Sequence, residues 1–207
     1  MDKQNLSAGR KGANAKETFM ENYYEEKEFS SLALQDLDLT DVEFFKCEFK
    51  SIIMIKGKLS ACRFENCTFI SSDLSLLSIQ DCSFTDVEFV NCKLLGIDWT
   101  KICLPIKIGF AGCKMNDSVF YGMDLRNIQM VSCEVRNVDF EKCNLSKSNL
   151  KSSDFLNSTF AGANLSFADL SDAKNYSINP TQSNIKKAKF SLPEVLTLLD
   201  TWAVQID

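Results

Sequence analysis

Apolar residues recur at every fifth position along most of this 207-residue chain. The series begins at Phe29 and continues to Leu104, then resumes after a slip of one residue at Phe110 and ends at Leu170, with no polar exception. A five-residue period fits neither the 3.6 residues per turn of a helix nor the two-residue alternation of a strand. A fixed repeat of this kind predicts a solenoid, in which stacked units build one continuous core.

The position two residues before each of these apolar residues is also restricted, because it is almost always small or apolar. It holds Val42, Cys47, Ile52, Cys62, Cys67, Ser72, Cys82, Val87, Cys92, Cys113, Cys133, Val138, Cys143, Ser148, Ser153, Ser158, Ala163 and Ala168. One large and one small side chain therefore point inward in every five residues. We expect a four-sided coil of about twenty residues, with successive coils ~4.8 Å apart, so that residues twenty apart lie above one another.

Two segments near the end of the series carry a family resemblance. Ala163–Phe167 (Ala-Asn-Leu-Ser-Phe) and Ala168–Asp172 (Ala-Asp-Leu-Ser-Asp) resemble the consensus of pentapeptide-repeat proteins. The resemblance implies an all-β solenoid, a right-handed quadrilateral β-helix. We expect a polar, flexible segment over residues 1–24, the β-helix over 25–175 with an interruption near 103–109, and a C-terminal cap over 176–207.

The cap combines a helical pattern with a strand pattern. Ser191, Pro193 and Glu194 match a capping box with proline in the first turn, which predicts a short helix at about 192–200. Alternating apolar residues then predict a strand over 202–206. We expect the cap to form a two-fold homodimer, with a tail folded back on its own chain as the alternative. The predicted interface comprises Leu192, Val195, Leu196, Leu199, Trp202, Val204 and Ile206.

Eight of the nine cysteines occupy the small inward position, and Cys103 is the exception. Free cysteine packs as a small buried hydrophobe, so we expect reduced thiols, although some pairs should stack on adjacent coils and invite a disulfide interpretation. Reduced thiols indicate a reducing compartment. The first twenty residues lack the apolar run of a signal peptide, and no apolar stretch is long enough to span a bilayer. We therefore expect a cytoplasmic protein without a membrane span.

The composition argues against an enzyme. The chain contains no histidine, which removes the usual general base and the commonest zinc ligand. Its few glycines are scattered and form no phosphate-binding loop. We predict no catalytic residues, no metal and no cofactor.

The charge of the chain points to a protein partner. Its formal net charge is −5, and direct binding of nucleic acid requires basic surface to neutralise phosphates. We number the four faces of the coil in chain order, so that face 1 contains Phe29 and face 3 contains Leu39. On face 1 the column just before the central residues contains Glu28, Glu48, Glu88 and Asp169 and no basic residue. Face 3 carries Asp38, Asp41, Asp81, Asp98, Asp139 and Glu141, diluted by Lys58, Lys101 and Lys142.

Each of these carboxylates alone is typical of a solubilising surface charge. A row of them along a rigid rod shares with DNA a regular line of negative charge, so it suits a basic, DNA-binding surface on another protein. We expect face 1 to be the partner-binding face and face 3 to be a second acidic face.

Three further segments resemble the albicidin-resistance group of the pentapeptide-repeat family and, more loosely, its Qnr-type quinolone-resistance group. They are Leu95–Thr100, Asn116–Gly122 and Phe190–Glu194. The resemblance implies a dimeric, DNA-mimicking β-helix that binds bacterial DNA gyrase or topoisomerase IV and protects it from inhibitors. Some members carry long projecting loops, and here only the short interruption near Pro105 breaks the repeat. The alternative is a cytosolic interaction scaffold for a different protein.

Overall fold

The computed structural model describes residues 5–7, 19–34 and 37–205. They form a β-solenoid of about eight turns with one short C-terminal helix, as predicted. All strand pairs in the described part are parallel, and each strand pairs with the strands one coil above and below it. The strands are Asn5–Ser7, Tyr23–Glu25, Glu28–Ser30, Asp38–Thr40, Glu43–Phe45, Glu48–Lys50, Lys58–Ser60, Arg63–Glu65, Thr68–Ile70, Ser78–Gln80, Ser83–Val90, Lys107–Ala111, Gln129–Val131, Asp169–Leu170 and Lys189–Phe190. Two 3₁₀ helices span Trp99–Lys101 and Glu194–Trp202.

Residues twenty apart stack directly, as the period predicted. Phe44, Phe64 and Phe84 are register partners in adjacent strands. Their rings are nearly parallel, with centroids 5.0 and 5.2 Å apart. Offset aromatic stacks of this spacing are favourable beyond the area that they bury. The large inward residues thus form columns that run along the axis of the rod.

The small inward column is buried throughout, and all nine cysteines are free thiols. The column also has a hydrogen-bonding role that the apolar pattern did not reveal. The Sγ of Cys47 donates to the carbonyl oxygen of Tyr24 at 3.4 Å, and the Oγ of Ser153 donates to that of Met130 at 2.8 Å. Burial raises the pKa of Cys143 to about 12, so this thiol stays protonated. Cysteine and serine suit the position because each is small and can donate.

The corners of the coil use a backbone conformation that hydrophobic periodicity does not predict. The residue two positions after the central one is left-handed in most repeats, with φ of 51° at Lys46 and 52° at Asn66. The corner N–H of Lys46 then donates to the carbonyl oxygen of Glu65 at 2.9 Å. Asparagine and aspartate tolerate this region better than most residues. Acidic residues at these corners, such as Asp41 and Asp81, project from the edge of the rod.

The interruption lies where the sequence placed it, but Leu104 does not continue the inward series. Its side chain is 63% exposed. The pairing offset rises here from 20 to 21 residues, since Val87 pairs with Ile108 and the register shifts between Thr85 and Val87. The extra residue pushes the chain outward, and Ile106 packs partly against the core instead.

The rod extends beyond both predicted boundaries. At its N-terminal end, Asn5–Ser7 pairs with Glu28–Ser30, and the buried Phe19 contacts the ring of Phe29 at 5.2 Å. Residues 8–18 lie outside the described part. At the other end, Asp169–Leu170 pairs with Lys189–Phe190. The predicted end at residue 175 came too early because the apolar series breaks there while the backbone ladder continues.

The C-terminal cap differs from its prediction in two respects. The helix runs from Glu194 to Trp202, so Trp202 ends the helix and does not open a strand. Ala203 is left-handed, with φ 49°, and Val204 lies in no strand of the described chain. Ile206 lies outside the described residues. The three-residue turn of a 3₁₀ helix makes Leu198 the buried contact with the rod, a residue that α-helical spacing had not singled out.

Candidate protein-binding face

The coil ladder fixes the column of face 1 that contains the predicted binding residues. Glu28 pairs in register with Glu48, and Glu48 pairs with Thr68. Pairing continues through Glu88 and the later coils to Asp169. The structure therefore brings the four acidic residues into one column, with other residues between them.

Cross-coil lysines neutralise most of this column. The Nζ of Lys50 lies 3.3 Å from Glu28 Oε2 and also contacts the carboxylate of Glu48. At the opposite end, Asp169 Oδ2 lies 3.3 Å from Lys151 Nζ and 3.6 Å from Lys189 Nζ. Lys50 and Lys151 stand two residues after members of the column, and Lys189 continues it one coil beyond Asp169, so the charges from Glu28 to Asp169 alone did not reveal them.

Glu88 is the member of the face 1 column that has no ion pair in the described chain. Partial burial, reinforced by the neighbouring Asp86, raises the pKa of Glu88. Its carboxylate lies over Gly109 of the next coil, and a Cβ at position 109 would collide with it. Glycine at this position therefore leaves room for the Glu88 side chain. Face 1 presents one uncompensated carboxylate.

Face 3 keeps its acidic residues largely unpaired. Asp38 pairs in register with Lys58, and Asp98 lies in one column with Val119 and Asp139. Lys101 lies 3.6 Å from Asp98, and this is the one ion pair of face 3 within the residues that the structure describes. Its unpaired carboxylates there are those of Asp38, Asp41, Asp81, Asp139 and Glu141.

Local hydrogen bonds orient the carboxylates at the C-terminal end of face 3. Asp139 Oδ1 accepts from the backbone N–H of Glu141 at 2.8 Å and from Thr159 Oγ1 at 3.3 Å. Glu141 borders a surface groove between face 3 and the C-terminal helix, where Thr197 and Asp200 form the opposite wall. The groove extends the acidic surface onto the cap.

The charge density of face 3 can be compared with that of duplex DNA. From Asp38 to Lys142 the face carries six acidic and three basic side chains, a net charge of about −3 over five coil steps or ~24 Å. Duplex DNA carries about one charge per 1.7 Å of axis, or roughly 14 over that length. Face 3 therefore carries far fewer charges than duplex DNA of the same length.

The C-terminal end exposes a separate apolar surface. Leu192 is 76% exposed and Trp202 is 53% exposed, and both Leu196 and Val204 are also open to solvent. Val195 packs partly against the core, and Leu199 is half-buried. Of the predicted dimer residues that the structure describes, two are thus partly buried and four face outward.

Within the described ranges no cluster of three or more potential ligands can hold a metal ion. No helix in that part of the chain is long and apolar enough to cross a membrane.

Comparison with known families identifies the repeat. A pentapeptide-repeat region model matches residues 42–105, and a model of eight pentapeptide repeats matches residues 139–174. Together with the four-sided coil, these matches make the chain a pentapeptide-repeat protein. A comparison with curated protein sequences finds no match.

Solved structures share the fold at low sequence identity. A trypsin-treated form of QnrB1, a plasmid-mediated fluoroquinolone resistance protein, matches with a TM-score of 0.58 and 15% identity over 87% of this chain and 100% of that chain. A second trypsin-treated form gives 0.57 and 17%, over 89% and 91%. HetL from the cyanobacterium Nostoc sp. strain PCC 7120, involved in heterocyst differentiation regulation, gives 0.53 and 15%, over 81% and 84%. At these identities the likeness concerns the fold alone.

Proposed function

We propose that this chain is a non-enzymatic DNA mimic that binds a bacterial type II topoisomerase, DNA gyrase or topoisomerase IV, in the cytoplasm and protects it from inhibitors. The observation that carries the proposal is the unneutralised acidic surface of face 3. It replaces face 1 as our preferred binding face, since lysines compensate three of the four carboxylates of face 1. The shared fold with a fluoroquinolone resistance protein supports the choice of partner.

The proposed mechanism requires binding alone and no catalytic step. A rigid rod with fixed carboxylates presents its charges without an ordering cost on binding, which favours affinity. Basic residues that ordinarily hold DNA phosphates would contact Asp41, Asp81 and Glu141. Occupation of that surface excludes DNA, and a topoisomerase without bound DNA offers no cleavage complex for a poison to trap.

The apolar C-terminal surface supports a homodimer. Leu192, Leu196, Trp202 and Val204 are exposed at one end of the rod, and removal of such side chains from water favours association. A two-fold contact there would align two rods end to end and double the length of face 3.

A supercoiling assay with purified DNA gyrase and a quinolone tests the proposal. We expect micromolar protein to inhibit supercoiling and to reduce quinolone-trapped cleavage. The matched control replaces Asp41, Asp81 and Glu141 with Asn, Asn and Gln, which keeps their shape. Absence of both effects with the wild-type chain would contradict the proposal.

A second candidate function is a scaffold for a different partner, and one apolar patch on face 2 (the face that contains Leu34) favours it. Ile53, Ile55 and Leu76 are each exposed by more than two fifths, and Leu95 is half-buried beside them. A Cβ at Gly96 would lie 2.7 Å from Leu76 Cδ2, so the leucine covers the adjacent coil. An Ile55→Asp variant that loses a captured partner while still inhibiting gyrase would separate the two functions.

A further inference from the structure

Face 4, the face that contains Phe44, has nine stacked levels. They are residues 23–25, 43–45, 63–65, 83–85, 103–107, 124–126, 144–146, 164–166 and 184–186. Strand pairs join the first five levels to one another, and bridges join the last four to one another. The fifth level is the interruption that holds Cys103 and the exposed Leu104. Four regular levels therefore lie on each side of an irregular centre.

The charges on face 4 are polarised about this centre. The first four levels and their corners carry the acidic residues Glu25, Glu26, Glu43, Glu65 and Asp86. The last three levels and their corners carry Lys147, Lys186 and Lys187 and no acidic residue. One end of the face is thus acidic and the other is basic.

Ion pairs within the face leave a specific set of charges free. Lys46 pairs with Glu26 at 3.3 Å, Arg63 pairs with Glu43 at 2.8 Å, and Lys107 contacts Asp86. Among the residues that the structure describes, Glu25 and Glu65 have no ion-pair partner on the acidic half.

The basic half also carries charges that have no ion-pair partner in the described chain. Lys147, Lys186 and Lys187 are exposed and form no ion pair within the described chain. Lys187 instead lies over the exposed ring of Phe167, 5.2 Å from its centroid. The free acids lie at levels one and three, and the free lysines lie at or beside levels nine and seven.

We propose that face 4 binds face 4 of a second copy, with the two rods antiparallel and related by a two-fold axis through level five. Such an axis places level one opposite level nine and level three opposite level seven. Glu25 then faces Lys186 of the second copy, and Glu65 faces the level of Lys147. Because a two-fold contact is self-complementary, each ion pair occurs twice.

The opposite arrangement of the rods is disfavoured by the same charges. A parallel pair would place each level against its own copy, so that the two Glu25 residues share one level and the two Lys186 residues share another. Like charges in direct opposition repel. In the antiparallel pair Lys107 lies opposite its own copy at the axis, and Asp86 compensates it. Arg63 lies opposite the level of Lys147, and Glu43 compensates it.

The axis also brings exposed apolar side chains together. Level five of each copy presents Leu104 beside Lys107, so the two leucines meet at the axis. Phe167, half exposed and covered by Lys187, lies opposite the level of Lys46.

The size of the face sets the strength of the contact. Eight steps of ~4.8 Å and three outward residues of ~3.3 Å give a flat area of roughly 400 Å² per copy. This lies at the weak end of specific interfaces. We expect a reversible dimer that weakens as salt increases, because the flanking ion pairs are exposed. Face 3 remains open in this dimer.

Cys103 provides a direct test of the geometry. It is the exposed cysteine of the chain, whereas the other eight are buried. The axis through level five places the two Cys103 thiols at the same level on the two copies. Across an end-to-end contact they would lie at least ~38 Å apart, since four coil steps separate level five from the C-terminal end of each rod.

The experiment treats the full chain with a short bismaleimide at low salt and measures the yield of covalent dimer. We expect a Cys103–Cys103 cross-link that disappears in Cys103→Ser and persists in a Leu192→Asp, Trp202→Asp variant. Charge reversal at Lys147 and Lys186 to Glu should lower the yield at least fivefold. Charge reversal at Glu25 and Glu65 to Lys should do the same, and combining all four should restore it.

Restoration by the combined variant excludes a trivial loss of folding. Two results would overturn the proposal. One is the absence of a Cys103 cross-link in the wild-type chain, and the other is a yield that charge reversal leaves unchanged.

Discussion

Faces 1 and 3 of the same rod show how two rows of carboxylates lead to different surfaces. On face 1, Lys50 stands one coil from Glu28 and beside Glu48, so two carboxylates share one ammonium. On face 3, Asp41 and Asp81 occupy corners, and no lysine contacts them in the described chain. The difference comes from the lysines that border the face 1 column. Lys50 lies two places after Glu48, and Lys189 stacks on Asp169.

The comparison also distinguishes charges that form stabilising ion pairs from charges that remain available to a binding partner. Like charges stacked at ~4.8 Å repel, and face 1 relieves this repulsion with cross-coil lysines. Face 3 avoids it by spacing, because Asp41 and Asp81 are two coils apart, or ~10 Å, with Ala61 between them. The ion pairs of face 1 therefore help to stabilise the rod, whereas the carboxylates of face 3 remain available for contact with a partner.

The largest effect should follow from neutralising face 3. Replacing Asp41, Asp81 and Glu141 with their amides should weaken binding to gyrase about tenfold, if each exposed charge contributes a few tenths of a kcal/mol or more. The matched control replaces Glu28, Glu48 and Asp169 on face 1 in the same way and should change the affinity less than twofold. The dissociation constants measured by interferometry at low salt decide between the faces. A larger loss from the face 1 variant would reverse the assignment.

Much of this architecture follows from the sequence. The five-residue period predicted the coil, the stacking of Phe44 on Phe64 and the burial of eight cysteines. These features follow because burial of a polar side chain without a partner costs free energy. The Oγ of Ser148 is an exception at the small inward position. The period did not predict Leu104, because a local excess of one residue changes which side chain points inward.

The candidate site was harder to predict than the core. Outward positions have no burial requirement, so their sequence leaves the ion pairing of Glu28 or Asp169 undetermined. The position of Lys50 between two glutamates becomes apparent only when coils are laid side by side. The same holds for the polarity of face 4, in which Glu25 and Lys186 lie far apart along the rod.

A smaller effect should follow from removing the lysine that compensates face 1. Lys50→Ala leaves Glu28 and Glu48 one coil apart without their shared ammonium. We expect the Tm to fall by about 1–3 °C at low salt, and the loss should shrink at high salt because screening weakens the repulsion. Lys101→Ala on face 3 is the control and should change Tm less, since it frees one carboxylate only. Thermal unfolding followed by circular dichroism measures both, and equal losses would contradict the comparison.

The smallest effect concerns two members of the face 1 column, Asp169 and Glu88, as the pH changes. Although partial burial opposes it, hydrogen bonds from Ser171 and contact with Lys151 lower the pKa of Asp169. Burial raises the pKa of Glu88. Carbon-detected NMR titration should show Asp169 titrating below its ordinary value of about 3.9 and Glu88 above its ordinary value of about 4.3.

The two mutations should therefore change the free energy of unfolding in opposite directions. A lowered pKa means that Asp169 contributes stability above about pH 4, which is lost as the pH falls through its folded-state pKa. Asp169→Asn should accordingly lower the free energy of unfolding at pH 7 by less than about 1 kcal/mol, and the loss should vanish in acid. The raised pKa of Glu88 means that its charged form is disfavoured by folding, so Glu88→Gln should slightly raise stability at pH 7 and not below its unfolded-state pKa. Urea unfolding at pH 7 and pH 3.5 measures these differences, and a destabilised Glu88→Gln at neutral pH would show that this carboxylate has a partner after all.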